Sequence, residues 1–259
     1  MKLFGQRDVG RYRFGKKTVK HDVKNLKMTK YMVNVPDPPV EFDNLEIAFR
    51  KLKNTNISTL FPMDGNNKYG NCVVAGMAHL VTAFHGRIGE LQIPPEQDVI
   101  KFYKKLSGCR DRGLVMLDTL KYWRKNDFYG HKILAFGQVN LKSHKNVKQC
   151  IHLFGGVDLG FQVQDDAIKD FDNNVAYNNN VVWTPGPSSG GGHCVVAVSY
   201  DEYTVGVLTW GGFIRGTWDW WDTMVDEAYA LLPPEAANLN YTEGFDFDQL
   251  QSDLEAITN

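Results

Sequence analysis

Apolar positions follow two regimes along the chain. Before about residue 130 they recur at helical spacing, and beyond it they fall in short alternating or continuous runs of strand length. Residues 1–40 show neither pattern and read as an extended arm ending in Pro36-Asp37-Pro38-Pro39. Asn44 to Lys53 reads as a short amphipathic helix. A loop rich in Gly and Asn, Met63 to Asn71, leads into Cys72 to His85, which is apolar almost all round. A helix apolar on most faces is a buried central helix. Asn71 or the preceding loop is expected to cap it, placing Cys72 in the first turn. Pro94-Pro95-Glu96-Gln97 opens the next helix, with prolines suited to a first turn. Its face is Val99, Ile100, Phe102, Tyr103 and Leu106. Gly113 to Asn126 reads as a third.

From residue 131 the elements are strands. Ile133–Phe136 and Val157–Val163 flank a helix over Val147–Phe154, and residues 164–192 read as loop. His193–Tyr200 and Tyr203–Trp210 form two strands of an antiparallel hairpin, connected through Asp201-Glu202. Trp218 to Leu231 returns to a helical pattern. There is no internal repeat. The organisation expected is a basic arm (1–40), a helical half (41–130), a strand-rich half (131–232) and an acidic tail (233–259), an α+β chain.

Composition narrows this little. The 259 residues are 43% hydrophobic and 23% charged, which excludes a disordered chain, a collagen and a coiled coil. A chain of this size buries enough surface to need no staples. No apolar run approaches the roughly 20 residues that span a bilayer. Met1 to Asp8 lacks the apolar segment of a secretory signal, so a cytoplasmic or virion-associated protein is expected. Net charge is −1, no global reason to expect nucleic acid.

Charge distribution changes the picture more. Residues 1–30 hold ten Lys or Arg against two Asp, and ten acids with no Lys or Arg follow Arg215. The two ends are either solvated tails, or the basic arm docks on the acidic end or an acidic partner. Arg11, Arg13, Lys16, Lys17 and Lys20 interleave with Tyr12 and Phe14, a composition that also suits nucleic acid. Trp210, Trp218, Trp220 and Trp221 read as core packing or as an aromatic wall of a binding cleft. The four cysteines form no C-x-x-C pair and read as free thiols of a reducing compartment. Cys109 and Cys150 are expected to be small buried residues.

The chemistry centres on Cys72 and His193. A thiol at a helix N-terminus is favoured as thiolate by unpaired backbone N–H groups and the helix dipole. An adjacent imidazolium favours it further, giving a nucleophile near neutral pH. Gly70 and Asn71 before Cys72, and Gly190-Gly191-Gly192 before His193, let a substrate backbone come close. No metal or other cofactor is implied. His79 and His85 are spaced wrongly for a zinc helix, and the Asp165–Asp172 region lacks a calcium-loop pattern.

Five ordered segments over about residues 60–232 resemble the papain-like cysteine peptidase fold: Asn66, Tyr69-Gly70-Asn71-Cys72, Arg112-Gly113-Leu114, Gly191-Gly192-His193-Cys194 and Thr209-Trp210-Gly211-Gly212. Uncharacterised bacterial and bacteriophage proteins of this type share the Tyr-Gly-[Asp/Asn]-Cys and Thr-Trp-Gly elements. The resemblance implies a helical subdomain with a buried central helix, packed against an antiparallel sheet or barrel. It implies that Cys72 attacks a carbonyl carbon of a peptide or protein substrate. The Cys72 N–H and the Asn66 amide then hold the oxyanion, and His193 acts as acid and base. It implies a substrate cleft lined by Gly70, Asn71, Gly192 and Trp210.

The family's third residue, an Asn that orients the His, has no counterpart. Aligning on Trp210-Gly211 puts Leu208 in its place and Thr209 beside it. Only Thr209 accepts a hydrogen bond, and a one-residue shift turns side chains to the opposite face. Val73 replaces the Trp that usually follows the Cys, and Asn66 is one methylene shorter than the usual Gln. Two readings follow: a thiol hydrolase, or a catalytically weak or inactive papain-like fold serving as a binding or structural module, such as on a phage particle. A cleft filled by residues 1–40 would point instead to a self-inhibited precursor.

Overall fold

The computed structural model describes residues 12–49, 56–177, 180–234 and 243–258. The first eleven residues of the arm, Arg11 among them, the expected continuation of the first helix over 51–53, and residues 235–242 of the tail lie outside these.

One helical turn, α1 (Met28–Tyr31), interrupts the arm. A two-residue strand, β1 (Phe42–Asp43), leads into α2 (Asn44–Phe49), followed by α3 (Ile57–Leu60). The central helix α4 (Cys72–Arg87) precedes α5 (Glu96–Ser107) and α6 (Met116–Lys125). Then come β2 (Ala135–Gln138), α7 (His144–Phe154), β3 (Val157–Gln164) and α8 (Ala167–Tyr177). A short β4 (Val182–Trp183) precedes the long β5 (Ser188–Tyr200), β6 (Thr204–Thr209) and β7 (Gly212–Thr217). The chain continues through α9 (Trp218–Met224), β8 (Val225–Leu232) and α10 (Phe247–Thr258).

The strands join in one sheet of order β2-β8-β3-β5-β6-β7-β4, with β1 added to β5. Among the described strands β4–β7 is the parallel pair and the others run antiparallel. Both faces are covered. Cys194, Val196 and Val198 of β5 point into the cluster built around α4, while Val195 and Ala197 point into the cluster on the other face. This is the two-residue alternation of a strand. Every residue of α4 from Cys72 to Gly86 is buried, so the helix needs no polar face. Each of its large apolar side chains contributes about 1.5–3 kcal/mol by leaving water.

The structure corrects the sequence reading at several elements. Residues 164–192 are not simply loop, for they hold α8, β4 and the start of β5. The glycine run there pairs in the ladder, with Gly192 opposite Gln162. Trp218 to Leu231 is helical only as far as Met224, and β8 then inserts between β2 and β3. Ladder pairing on both sides overrides the helix preference of Glu227, Ala228, Ala230 and Leu231. β7 had no clear signal. The third helix starts at Met116 because Gly113 takes φ +68° and Leu114 bonds to the arm. Cys109 is exposed at φ +58°, at the turn after α5, whereas Cys150 is buried.

The arm lies on the body. Lys30 pairs with Asp253 of α10 at 2.6 Å, and the Tyr31 hydroxyl donates to the same carboxylate at 2.7 Å. Among the described residues no helix is long and apolar enough to cross a membrane.

Candidate active site

Cys72 is the first residue of α4 and is buried. The Asn71 carbonyl accepts from the N–H groups of Val74 and Ala75, starting the helix. The Asn71 side chain does not cap it, contrary to expectation, because its amide donates to the Asp64 carbonyl at 2.7 Å. Burial pushes the Cys72 thiol up to about 11. Backbone N–H groups of Cys194, Gly15 and Val73 and the Lys16 charge pull the other way, but by less.

His193 lies on β5 opposite Phe161 of β3. It shares its face with Val195 and Ala197. On β6 the residues of that face are Val205, Val207 and Thr209, while Leu208 opposes Val196 and packs toward α4. The ladder thus decides between the two alignments: His193 Nε2 lies 2.8 Å from Thr209 Oγ1, and Leu208 plays no part. A Thr hydroxyl can accept from Nε2–H, leaving the lone pair on Nδ1. Nδ1 is buried with no hydrogen-bond partner. Burial pulls His193 down to about 3, so the ring is neutral in this state. No hydrogen bond joins it to Cys72 among the described residues.

Trp210 follows Thr209 with φ +47° and stacks on His193, ring centres 4.5 Å apart and planes 19° apart. It also stacks on Tyr12, ring centres 4.6 Å apart. Trp210 therefore shields the imidazole, while Trp220 and Trp221 are core residues, fully buried. Asn66 is buried; its amide donates to the Tyr69 carbonyl at 3.0 Å and to the Arg13 carbonyl at 3.2 Å. The Gly70 N–H donates to Asp111 at 2.9 Å, and Gly192 offers its carbonyl to the Lys16 N–H at 3.0 Å. Asn66, Gly70, Cys72, Gly192, His193 and Trp210 thus all approach residues 12–16 of the arm, Thr209 sits behind His193, and the side-chain amide of Asn71 bonds to Asp64 instead.

Sequence reasoning named a cleft filled by residues 1–40 as an alternative without saying which residues would fill it. Residues 12–17 of the arm run between the Cys72 wall and the His193 wall. Besides the Gly192 bond, the Gly15 carbonyl accepts from Leu114 N–H at 2.8 Å, and Lys17 N–H donates to the Leu114 carbonyl at 2.9 Å. Arg13 N–H donates to the Asn66 carbonyl at 3.0 Å. Gly15 crosses so close to Gly70 that a Cβ on it would fall 2.6 Å from Gly70 Cα. Tyr12 and Phe14 are buried, the latter against His193 with ring centres 5.9 Å apart. The signal that could have found this is the alternation Tyr12, Phe14, Lys16, the side-chain period of an extended strand.

No protein-family model matches the sequence, and no curated protein matches it. Its likeness is to solved structures. Xylellain, a cysteine protease from Xylella fastidiosa, superposes with a TM-score of 0.64 at 14% identity, covering 90% of this chain and 98% of that one. The fold is papain-like. A cysteine protease of Carica candamarcensis in complex with E-64 gives 0.54 at 16% identity over 75% of this chain and 98% of that one. Procathepsin L 3 of Tenebrio molitor larval midgut gives 0.52 at 12% identity over 81% and 76%.

The remaining candidates are structural. His79 Nε2 lies 3.0 Å from the Pro62 carbonyl and 3.3 Å from Asp64, and His85 contacts His131 at 3.2 Å. Among the described residues no group of His, Cys, Asp or Glu is arranged to hold a metal ion.

Proposed function

We propose that this papain-like chain is a thiol hydrolase of peptide or amide bonds, held latent by its own residues 12–17. The observation that carries the reading is the placement of Gly15. Its N–H approaches the Cys72 sulfur, and its neighbours Arg13 and Lys16 bond to Asn66 and Gly192 on the two sides of the site, so the arm occupies the place of a substrate. Both reacting groups are dry and neutral beneath it. Similarity to a procathepsin supports the same reading.

With the arm displaced, water and substrate reach the pair, and the desolvation that raises Cys72 and lowers His193 falls away. Cys72 thiolate attacks the carbonyl carbon. The Asn66 amide, which already meets a carbonyl oxygen of the arm, supports the oxyanion. His193 Nδ1, having taken the thiol proton, gives it to the leaving amine as the C–N bond breaks to leave a Cys72 thioester, and later takes a proton from the water that cleaves the thioester and frees the thiolate. Thr209 positions the ring by accepting from Nε2–H.

The test is a pH series of Cys72 alkylation in wild type, Gly15→Val and Gly15→Val/His193→Ala, beside hydrolysis of peptide amides. Gly15→Val is expected to alkylate well below the ordinary thiol value of about 8.5, to lose this without His193, and to gain hydrolysis. A second reading, a non-catalytic binding module, is favoured by the neutral pair and by a hydroxyl in place of an amide behind the imidazole. Under it Gly15→Val exposes Cys72 as an ordinary thiol and hydrolyses nothing.

A further inference from the structure

We propose that the pocket now holding Lys16 is a recognition site for a long basic side chain, lysine or arginine, of a peptide bound in the cleft. That such a peptide is cleaved rests on the hydrolase reading; that the pocket takes a cation does not.

The Lys16 side chain is fully buried. Its ammonium donates to Asp226 Oδ2 at 3.0 Å and lies 2.8 Å from Oδ1 of the same carboxylate and 3.2 Å from Glu227 Oε1. The side chain of Glu227 is also fully buried. Its Oε2 accepts from the Tyr229 hydroxyl at 3.0 Å, whereas Oε1 has no hydrogen bond and meets only the ammonium charge. Asp226 Oδ2 also accepts from Gln162 at 2.7 Å. The pocket is therefore a formed cation site with its cation in place.

Its shape selects a straight, long side chain. A Cβ on Gly160 would fall 2.6 Å from Lys16 Cδ and 2.8 Å from Met116 Sδ, so the stem passes through space that only glycine leaves open. Its position relative to the chemistry is set by backbone. Lys16 N–H is held by Gly192, and Leu114 bonds the residues on either side, Gly15 and Lys17. A peptide that makes these main-chain bonds places one side chain in this pocket, next to the residue that faces Cys72.

Replacement of the arm by a peptide without a cation takes the ammonium from both acids, leaving the fully buried Glu227 with the Tyr229 hydroxyl alone and Asp226, 27% exposed, with Gln162. An apolar side chain of equal length cannot restore them, and a site built around polar partners rejects analogues that leave those partners unpaired. The pocket thus discriminates by charge at fixed length, which also explains why the arm's own plug at this position is a lysine.

The experiment uses the full chain carrying Lys16→Ala, which empties the pocket. n-Propylammonium, the part of the side chain that alanine lacks, is compared with n-propanol. The amine is expected to raise the melting temperature by about 5 °C and to slow Cys72 alkylation several-fold, with no effect of the alcohol. Adding Asp226→Asn and Glu227→Gln is expected to abolish the amine effect. Equal effects of amine and alcohol, or no effect of either on folded Lys16→Ala, overturn the proposal. Should Lys16→Ala not fold, wild type, Lys16→Arg and Lys16→Met are compared by melting. Arg is expected to stay near wild type and Met to fall well below it, and equal losses overturn the proposal. Peptide amides with Lys or norleucine at the pocket position are then assayed with Lys16→Ala, with about 100-fold higher kcat/KM expected for Lys. Cleavage without that preference overturns the pocket and leaves the hydrolase. Amine rescue without any cleavage upholds the pocket and removes the hydrolase.

Discussion

Lys16 and Lys30 belong to the same basic arm and both pair with acids from the far end of the chain, yet they stand in opposite environments. Lys16 is sealed between Asp226 and Glu227. Lys30 meets Asp253 on the surface, its side chain about half exposed at 52%. The Lys30 ammonium keeps its water, and Asp253 also accepts from Tyr31 and Gln249, so their contact adds little. At the inner site Lys16 and Glu227 are both fully buried, and each charge depends on the other to offset its desolvation, with Asp226 adding a partner that keeps some water. A sequence shows one cluster of lysines; solvent access gives them different functions, one a plug in the cleft and the other a tether on its outside.

Predictions that would break or sharpen this contrast run from the inner pair outward. Lys16→Ala leaves a buried carboxylate without its cation and is expected to lower the unfolding free energy by about 3–5 kcal/mol in urea titration. A loss no larger than that of Lys30→Ala would erase the contrast. Thr209→Val keeps shape but removes the partner of His193 Nε2, with an expected loss of about 1–3 kcal/mol. Thr209→Ser should restore stability, and in an arm-released protein only the Ser variant should retain hydrolysis.

The carboxyls divide the same way in their pH dependence. Asp158 is buried without a cation, and burial pushes it up to about 8, opposed by a hydrogen bond from the Cys194 thiol. The native state keeps this proton between about pH 4 and 8 while the unfolded chain releases it. The group therefore makes stability fall as pH rises through that window, by at most about 1.4 kcal/mol per pH unit. Asp158→Asn should remove this decline, seen as a flatter plot of urea midpoint against pH. Asp253 is opposite in sign: hydrogen bonds from Lys30 and Tyr31 hold it below its ordinary value. Its contribution is present above the unfolded value and is lost as pH falls through the folded one. The smallest effect is expected for Lys30→Ala, with no measurable change in the urea midpoint at neutral pH and unchanged Cys72 alkylation.

Much of the site could be read from the chain. An all-apolar helix opening with Cys72 and a strand opening with His193 carry their own periodicity, and the Gly-rich approaches lie beside them. Thr209 could not be separated from Leu208, because the two differ by one residue in a strand and only the pairing of Val196 with Leu208 shows which face each takes. The Asp226-Glu227 pocket was hidden for another reason. Those residues sat in a stretch that reads as helix, and insertion of β8 between two strands turns it into sheet. The arm was left open between a solvated tail and a filled cleft because Tyr12, Phe14 and Lys16 have the same composition in either.

What the sequence by itself determined is local: the central helix and its start at Cys72, the helix after Pro95, and the strand alternation from His193 to Tyr200. These follow from side-chain spacing and from the backbone groups left open at a helix start, both short-range. Tertiary structure alone decided which hydroxyl supports His193, that Cys72 and His193 rest dry and neutral, and that one lysine of the arm is buried among acids. Each of these depends on desolvation and on contacts between segments far apart in the chain, and burial is a property of the folded whole rather than of any window of residues.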